Sequence, residues 1–498
     1  MADSASTLRS NSGINPAHMI DSNRPIRGRR QTPAARVLAL ITAAAIAVTS
    51  TPITPAHSQG RGGTPNIPMI RDAEIEQLLR DYSQPILKAA GLAQQKINVV
   101  IINDRSFNAF VMDGQRIFIN AGALMEATTP NQIIGVLAHE TGHIAGGHLS
   151  RLREQLRNAQ TQSIIAILIG VGAMVAAGSA GGSTGGMGQA GAAVIAGPQE
   201  AIMRNLLSYQ RAQEEQADRA GVRFLAATGQ SAKGMHDTFK RMADQILFTS
   251  RYVDPYVQSH PMPAERVASL AELARSTTNW DKKDSPELQL RHDMMRAKLS
   301  GFMERPDTVA RRYPMHDTSL PARYARAIST YRHSDVRTAI AAIDALIATQ
   351  PTNPYFHELK GQALIESGRP ADAIAPLRLA VKLAPRPELI QVMLAQALIA
   401  TNSKDHADEA VGLLRVALTK EPDVPDGYTQ LAMAYGRKGD LAQADLASAQ
   451  AAAARGDLKT ARELAARDKT RFAIGSPGWV KADDIYSSST RSSTLRPN

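Results

Sequence analysis

Proline recurs 34 residues apart, at Pro351 and Pro385, and the residues between them repeat as well. With Gly361 set at a small position, Ala373, Leu377 and Ala380 fall in fixed register ahead of Pro385. One period earlier the register holds Ala327, Ala339, Ile343 and Pro351. One period later it holds Ala410, Leu414, Ala417 and Pro422, after about three extra residues near 402–406. A last copy keeps Leu431, Ala432, Tyr435 and Ala444 and then degrades. Small residues at fixed offsets and a proline stop describe a unit of two helices that buries its apolar face against the next unit. Such a chain forms an extended helical stack.

Thirty-four residues is the period of tetratricopeptide helix pairs. The repeats are expected over 321–456, behind a helical linker at 276–320. A terminal helix and a tail, disordered beyond Pro477, should fill 457–498. The front half reads differently. Ile75, Leu78, Leu79, Tyr82, Ile86 and Leu87 recur at helical spacing within 71–92. The run INVVII at 97–102 then reads as a buried strand, and 109–112 and 116–119 flank Asp113-Gly114, a hairpin turn. The next helix starts clearly: Thr129 at the cap, Pro130 at the first helical position and Gln132 completing a capping box. It is expected to run to about Arg157. A second long helix is expected over 199–228 with Gly229 as its C-terminal cap, then another over 231–247 and a His-Pro loop at 260–263. The fold class is mainly α, of α+β type: a first domain with a small sheet at 71–275, then an α-helical solenoid.

The N-terminus bears on compartment. Arg27, Arg29, Arg30 and Arg36 precede an uncharged run of 12 residues, VLALITAAAIAV, and a small-residue stretch ends at Ala56-His57-Ser58 before Gln59. That is the layout of a secretory signal peptide with a long basic region. Its apolar part falls short of the about 20 residues a spanning helix needs. Residues 1–58 are therefore expected to be cleaved on export, leaving 59–70 as a flexible N-terminus. Segment 1–58 also holds six Arg against Asp3 and Asp21, so +7 of the formal net charge of +11 remains beyond it. With no Lys/Arg run interleaved with aromatics, this mild excess argues against nucleic-acid binding. The chain has no cysteine, which excludes disulfides, thiolate catalysis, a Cys-ligated metal and a lipid anchor on an N-terminal Cys. Residues 158–199 carry no charge, and 164–177 is an apolar run of 14. This stretch reads as a lid over a cleft, or alternatively as a hairpin making peripheral contact with a membrane.

The chemistry concentrates in His139-Glu140-Thr141-Gly142-His143. Two histidines four apart share one helical face, so both imidazoles can reach one ion. Zinc accepts imidazole nitrogen and carboxylate oxygen and activates water, and Glu140 stands beside the ligands as a general base. A third histidine at 149 would complete a longer zinc motif, but 149 is leucine. On a continuous helix His148 faces about 180° from His139, which makes it structural or surface. The better third ligand is Glu214, in Glu214-Glu215-Gln216-Ala217-Asp218. Glu214 and Asp218 share a helical face, so one can ligate while the other orients a ligand histidine. Glu215 points elsewhere.

His139 to His143, followed by Glu214-x-x-Ala217-Asp218-Arg219, resembles the zinc metalloprotease family of the CAAX prenyl protease and HtpX. Asn108-Ala109-Phe110 and Ser259-His260-Pro261 with Arg266 extend the resemblance over about 70–455. It implies a zinc endopeptidase with one Zn2+ held by His139, His143 and Glu214, with Asp218 behind a ligand. Asn108, Ala109 and Phe110 would form an edge strand beside which substrate lies. His260 would be a fourth ligand or latch. A signal peptide in front and repeats behind match a periplasmic branch of that family. For that branch the resemblance implies unfolded or misassembled outer-membrane proteins as substrates, and docking to the outer-membrane assembly machinery through the repeats. The competing reading is a zinc-stabilised tetratricopeptide scaffold or chaperone with little proteolysis. Glu140 discriminates between them, since a scaffold has no use for a base beside two ligands.

Overall fold

The computed structural model describes residues 68–112, 114–158, 161, 208–248, 260, 261, 264–422 and 424–494, all within the unit Thr64–Asn498. The signal segment, most of the uncharged stretch 158–199 and Ser259 lie outside the described residues.

Four strands form the sheet, β1 Met69–Ile70, β2 Asn98–Ile102, β3 Ala109–Val111 and β4 Arg116–Asn120, in the order β1-β2-β4-β3. β3 and β4 pair antiparallel across Gly114, whose φ of +77° suits glycine, and Phe110 stacks on Phe118 at 5.3 Å. β2 and β4 run parallel, with Val100 opposite Phe118. β3 is an edge strand. The opposite edge corrects one expectation, because Met69 and Ile70, expected in a flexible N-terminus, form a strand of the sheet. Met69 and Ile70 pair with Ile102 and Ile101, and the Asn103 N–H donates to Pro68 O, so backbone groups on β2 that would otherwise lack partners are satisfied.

The first helix, Ala73–Ala89, is capped by Asp72, which accepts from the Ile75 N–H at 2.9 Å. It buries Ile75, Leu78, Leu79, Tyr82, Ile86 and Leu87, the residues of the sequence stripe, in the core shared with the sheet and helix Pro130–Ala145.

Segment 276–320 was expected as a linker and proves to be structural core. Its helix Pro286–Met303 puts Met295 and Leu299 into the core of the first domain and Met294 and Ala297 into that of the repeats. Lys298 lies between these two faces, buried, with its Nζ 2.8 Å from Asp72, 3.2 Å from Glu74 and 3.9 Å from Glu358. Tyr324 OH donates to Glu74 at 2.9 Å. The start of the first helix is thus seated in the repeats: Ala73 packs with Ala380 and Ile390, and Arg71 reaches Glu421 at 2.8 Å.

The repeats follow as helix pairs: Leu320–His333 with Val336–Thr349, Pro354–Glu366 with Pro370–Leu383, Glu388–Ala400 with Lys404–Lys420, and Pro425–Lys438 with Leu441–Ala454. Gly361 shows why the register needs a small residue, since a Cβ there would lie 2.4 Å from Leu377 Cγ. The three extra residues lengthen helix Lys404–Lys420 to 17 residues against 14 for Pro370–Leu383. Beyond Leu458–Lys469 the expected disorder is contradicted by a helix, Pro477–Thr494. Its Ser-rich sequence is a poor helix former, but Trp479 and Tyr486 sit on one face and both receive the Lys469 ammonium, at 5.0 and 5.1 Å. Tertiary packing overrides local propensity here.

Candidate metal centre

Two helices meet closely enough to share a site because small residues line the crossing. Gly142 faces Ala217, where a Cβ would come within 2.7 Å of Ala217 O, and Gly221 lies against the His139 backbone, where the corresponding distance is 3.2 Å. The first helix is Pro130–Ala145. At its start Gln132 Oε1 accepts from the N–H groups of Thr128 and Thr129 at 2.7 and 3.3 Å. The second spans 208–227 and ends at Gly229 (φ +66°), as the sequence indicates.

At this crossing His139, His143, Glu214 and His260 each aim one ligand-type atom into a cluster whose members all lie within 4.8 Å of one another. His139 Nε2 and His143 Nε2 are 3.0 Å apart, and Glu214 lies 3.3 Å from the first and 3.5 Å from the second. His260 Nδ1 is 3.0 Å from Glu214 and 3.3 Å from His139 Nε2, while its Nε2 lies 3.5 Å from Glu140 Oε1. Behind the cluster Asp218 holds His139 Nδ1 at 2.9 Å. Arg266 grips Asp218 through Nε and Nη2 at 2.7 and 2.9 Å, reaches Glu214 at 3.0 Å and donates to Pro261 O at 2.9 Å, which ties the His260 loop to the site. The Phe239 ring packs edge-on against His139 and lies beneath the Arg266 guanidinium.

Burial alone would push Glu214 and Asp218 up. Instead His260, His139 and His143 hold Glu214 well below its ordinary range, and Arg266 and His139 lower Asp218. Burial opposes protonation of His139, yet Asp218 and Glu214 outweigh it and raise the imidazole to about 9. In His143 burial dominates and lowers it to about 3. Glu140 is fully buried, which raises its carboxyl, and neither of its oxygens has a hydrogen-bond partner among the described residues. Converging imidazole nitrogens, a depressed carboxylate and an unsatisfied buried carboxylate fit a divalent cation of zinc type.

His148 is buried, as a structural role requires, but does not take the direction that a continuous helix would give it. The motif helix does not run on to Arg157; it stops at Ala145, and a new helix covers 148–158. Gly147 at φ +62° makes the break. The break turns His148 inward, buried, with Nδ1 3.0 Å from His143 Nδ1. Burial, then Arg151, lowers its pKa and favours the neutral ring. The adjacent glycines Gly146-Gly147 are the sequence signal that could have revealed this. Asn108, Ala109 and Phe110 lie at the edge strand, with the Asn108 carbonyl accepting from the Asn120 N–H at 2.8 Å.

Comparison with known proteins agrees with this architecture. Residues 70–274 match the model of peptidase family M48, and 324–386 match a tetratricopeptide repeat model. The beta-barrel assembly-enhancing protease of Yersinia pestis is 23% identical over 416 residues, covering 82% of either chain. Its namesake in Escherichia coli strain K12 is 23% identical over 412 residues, again with 82% coverage of each. The metalloprotease LoiP of Escherichia coli strain K12 is 28% identical over 181 residues, 36% of this chain and 63% of that one. With the cluster seated inside the first matched segment and the first two helix pairs overlapping the second, the chain is a metalloprotease whose first domain matches peptidase family M48 and whose second matches tetratricopeptide repeats.

Proposed function

We propose that this is a zinc-dependent endopeptidase of the periplasm that degrades misfolded or stalled outer-membrane proteins and also assists their assembly. In this reading His139, His143 and Glu214 hold one Zn2+, Glu140 is the general base, and Asp218 orients His139. His260 is the resting fourth ligand or latch, and substrate lies along Asn108, Ala109 and Phe110 as an added strand. The single observation that carries the reading is the mutual arrangement of the two motif histidines. Each has its Nδ1 engaged from behind, by Asp218 at 2.9 Å and by His148 at 3.0 Å, so that the two Nε2 atoms converge. Ligation leaves both Nε2 atoms bare, and a cation shared with Glu214 then removes the repulsion between them at 3.0 Å; without metal, the proton of the raised His139 imidazole takes that place.

When bound, zinc polarises the scissile carbonyl and activates water. Glu140, raised by burial, is poised to take the proton of the attacking water and pass it to the leaving amine. Arg266 keeps Asp218 ionised and holds both Asp218 and Glu214 in place. The relatives' name, beta-barrel assembly-enhancing protease, supports outer-membrane proteins as the substrate class and the assembly machinery as the partner met by the repeats.

Cleavage of casein or an unfolded barrel protein by the wild type, Glu140→Gln and the chelated wild type tests this. Both altered forms should lose about 10²–10⁴-fold in rate. Equal turnover in all three would sink the protease reading, and full complementation by Glu140→Gln in cells would favour a scaffold. His260→Ala should raise basal cleavage; unchanged or lower cleavage removes the latch.

A further inference from the structure

We propose that His148 is a positioning residue for the metal centre, its bare Nδ1 accepting the Nδ1 proton of His143 and so fixing which nitrogen of His143 faces the ion. This rests on the reading of His143 as a ligand. Two imidazole Nδ1 atoms 3.0 Å apart attract only when one carries a proton and the other is bare. His143 Nε2 points to His139 Nε2 and Glu214, so in a metal-ligating His143 that nitrogen is bare and the proton sits on Nδ1. His148 must then be the acceptor, with its own proton on Nε2. The rings meet at 86° with centroids 5.0 Å apart, an edge-on approach that aims nitrogen at nitrogen.

The backbone is built to hold this contact. Gly147 supplies the positive φ that breaks the helix, and a Cβ on Gly146 would fall 2.3 Å from His148 Nε2. Gln213 Nε2 donates to His148 O at 3.3 Å, from the position next to Glu214. One short segment therefore ties the orientation of His143 to the helix that carries the carboxylate ligand. The two histidines are oriented by different means, Asp218 behind His139 and His148 behind His143. A second carboxylate there would add a buried negative charge beside Glu214; a neutral imidazole orients His143 without one.

The variants His148→Asn, His148→Gln and His148→Leu separate a positioning role from packing. The side-chain oxygen of asparagine lies two bonds from Cβ, as Nδ1 does, whereas that of glutamine lies three bonds out, as Nε2 does. Zinc affinity of the mature chain is measured by chelator competition at one pH, beside thermal unfolding of each metal-free protein. Asparagine should bind close to wild type, while glutamine and leucine should bind about 10–100-fold more weakly. Metal-free Asn and Gln variants should melt alike, which a packing role would not combine with different affinities. If the leucine variant fails to fold, the Asn and Gln pair decides. Glutamine binding as tightly as wild type, or asparagine as weakly as glutamine, would overturn the proposal. Wild type that takes up no stoichiometric zinc would instead sink the metal reading itself, and this inference with it.

Discussion

Two buried polar clusters organise this protein, and each gathers three carboxylates. At the candidate metal centre they are Glu140, Glu214 and Asp218; at the junction with the repeats they are Asp72, Glu74 and Glu358. The junction carries its own central cation, Lys298, on a helix common to both cores. The catalytic cluster instead surrounds its centre with imidazole nitrogens and keeps its covalent cation, Arg266, at the back. On the proposed reading, a site that must exchange water and substrate leaves the middle to an ion, whereas a site that joins two domains fills it permanently.

Removing the central cation should therefore affect the two clusters differently. Lys298→Met leaves the buried Glu358 and the half-buried Asp72 and Glu74 without their cation, and the expected loss is about 3 kcal/mol of stability. Because Lys298 touches both Glu74 and Glu358, calorimetry should show the repeats melting ahead of the first domain. A single transition at the wild-type temperature would show that the junction contributes packing alone. Chelation at the catalytic cluster should abolish cleavage yet preserve one cooperative transition, since Arg266 still pairs with Asp218 and Glu214.

Neutralising one carboxylate sharpens the contrast further. Asp218→Asn should weaken metal binding by about 10–100-fold, because the amide is a poorer acceptor for His139 Nδ1 and Arg266 loses its bidentate partner. Chelator competition measures this directly. Unchanged affinity would mean that the 2.9 Å contact does not govern the orientation of His139.

The two clusters also differ in how far the sequence reveals them. His139, His143, Glu214 and Asp218 are legible in the sequence because helical spacing puts them on two faces, whereas His260 is reached only through the family resemblance. Thr129 and Gln132 marked the helix start, since capping is a local interaction. What spacing could not show was the break at Gly146-Gly147, where the flanking residues keep a helical pattern on both sides and carry His148 with them. The Lys298 junction left no local trace at all. Its partners lie on the first helix and in the second helix pair, so only the folded chain brings them together. The helix Pro477–Thr494 is illegible in the sequence for the same reason, its partner Lys469 being on the preceding helix.

The smallest expected effect has the opposite sign from Asp218→Asn. Glu358 Oε2 is buried 3.9 Å from Lys298 with no hydrogen-bond partner among the described residues, and burial raises its carboxyl despite the ammonium nearby. A carboxyl raised by folding favours its protonated form in the native state. The unfolded chain therefore releases that proton first as pH rises, and stability falls from the ordinary carboxylate range upward. Glu358→Gln removes this dependence. It should match wild type near about pH 5 and exceed it by roughly 1 kcal/mol near about pH 8, read from urea unfolding at both. A variant less stable than wild type at both values would show that Lys298 needs all three carboxylates, and the junction would then resemble the catalytic cluster in requiring every acceptor it has.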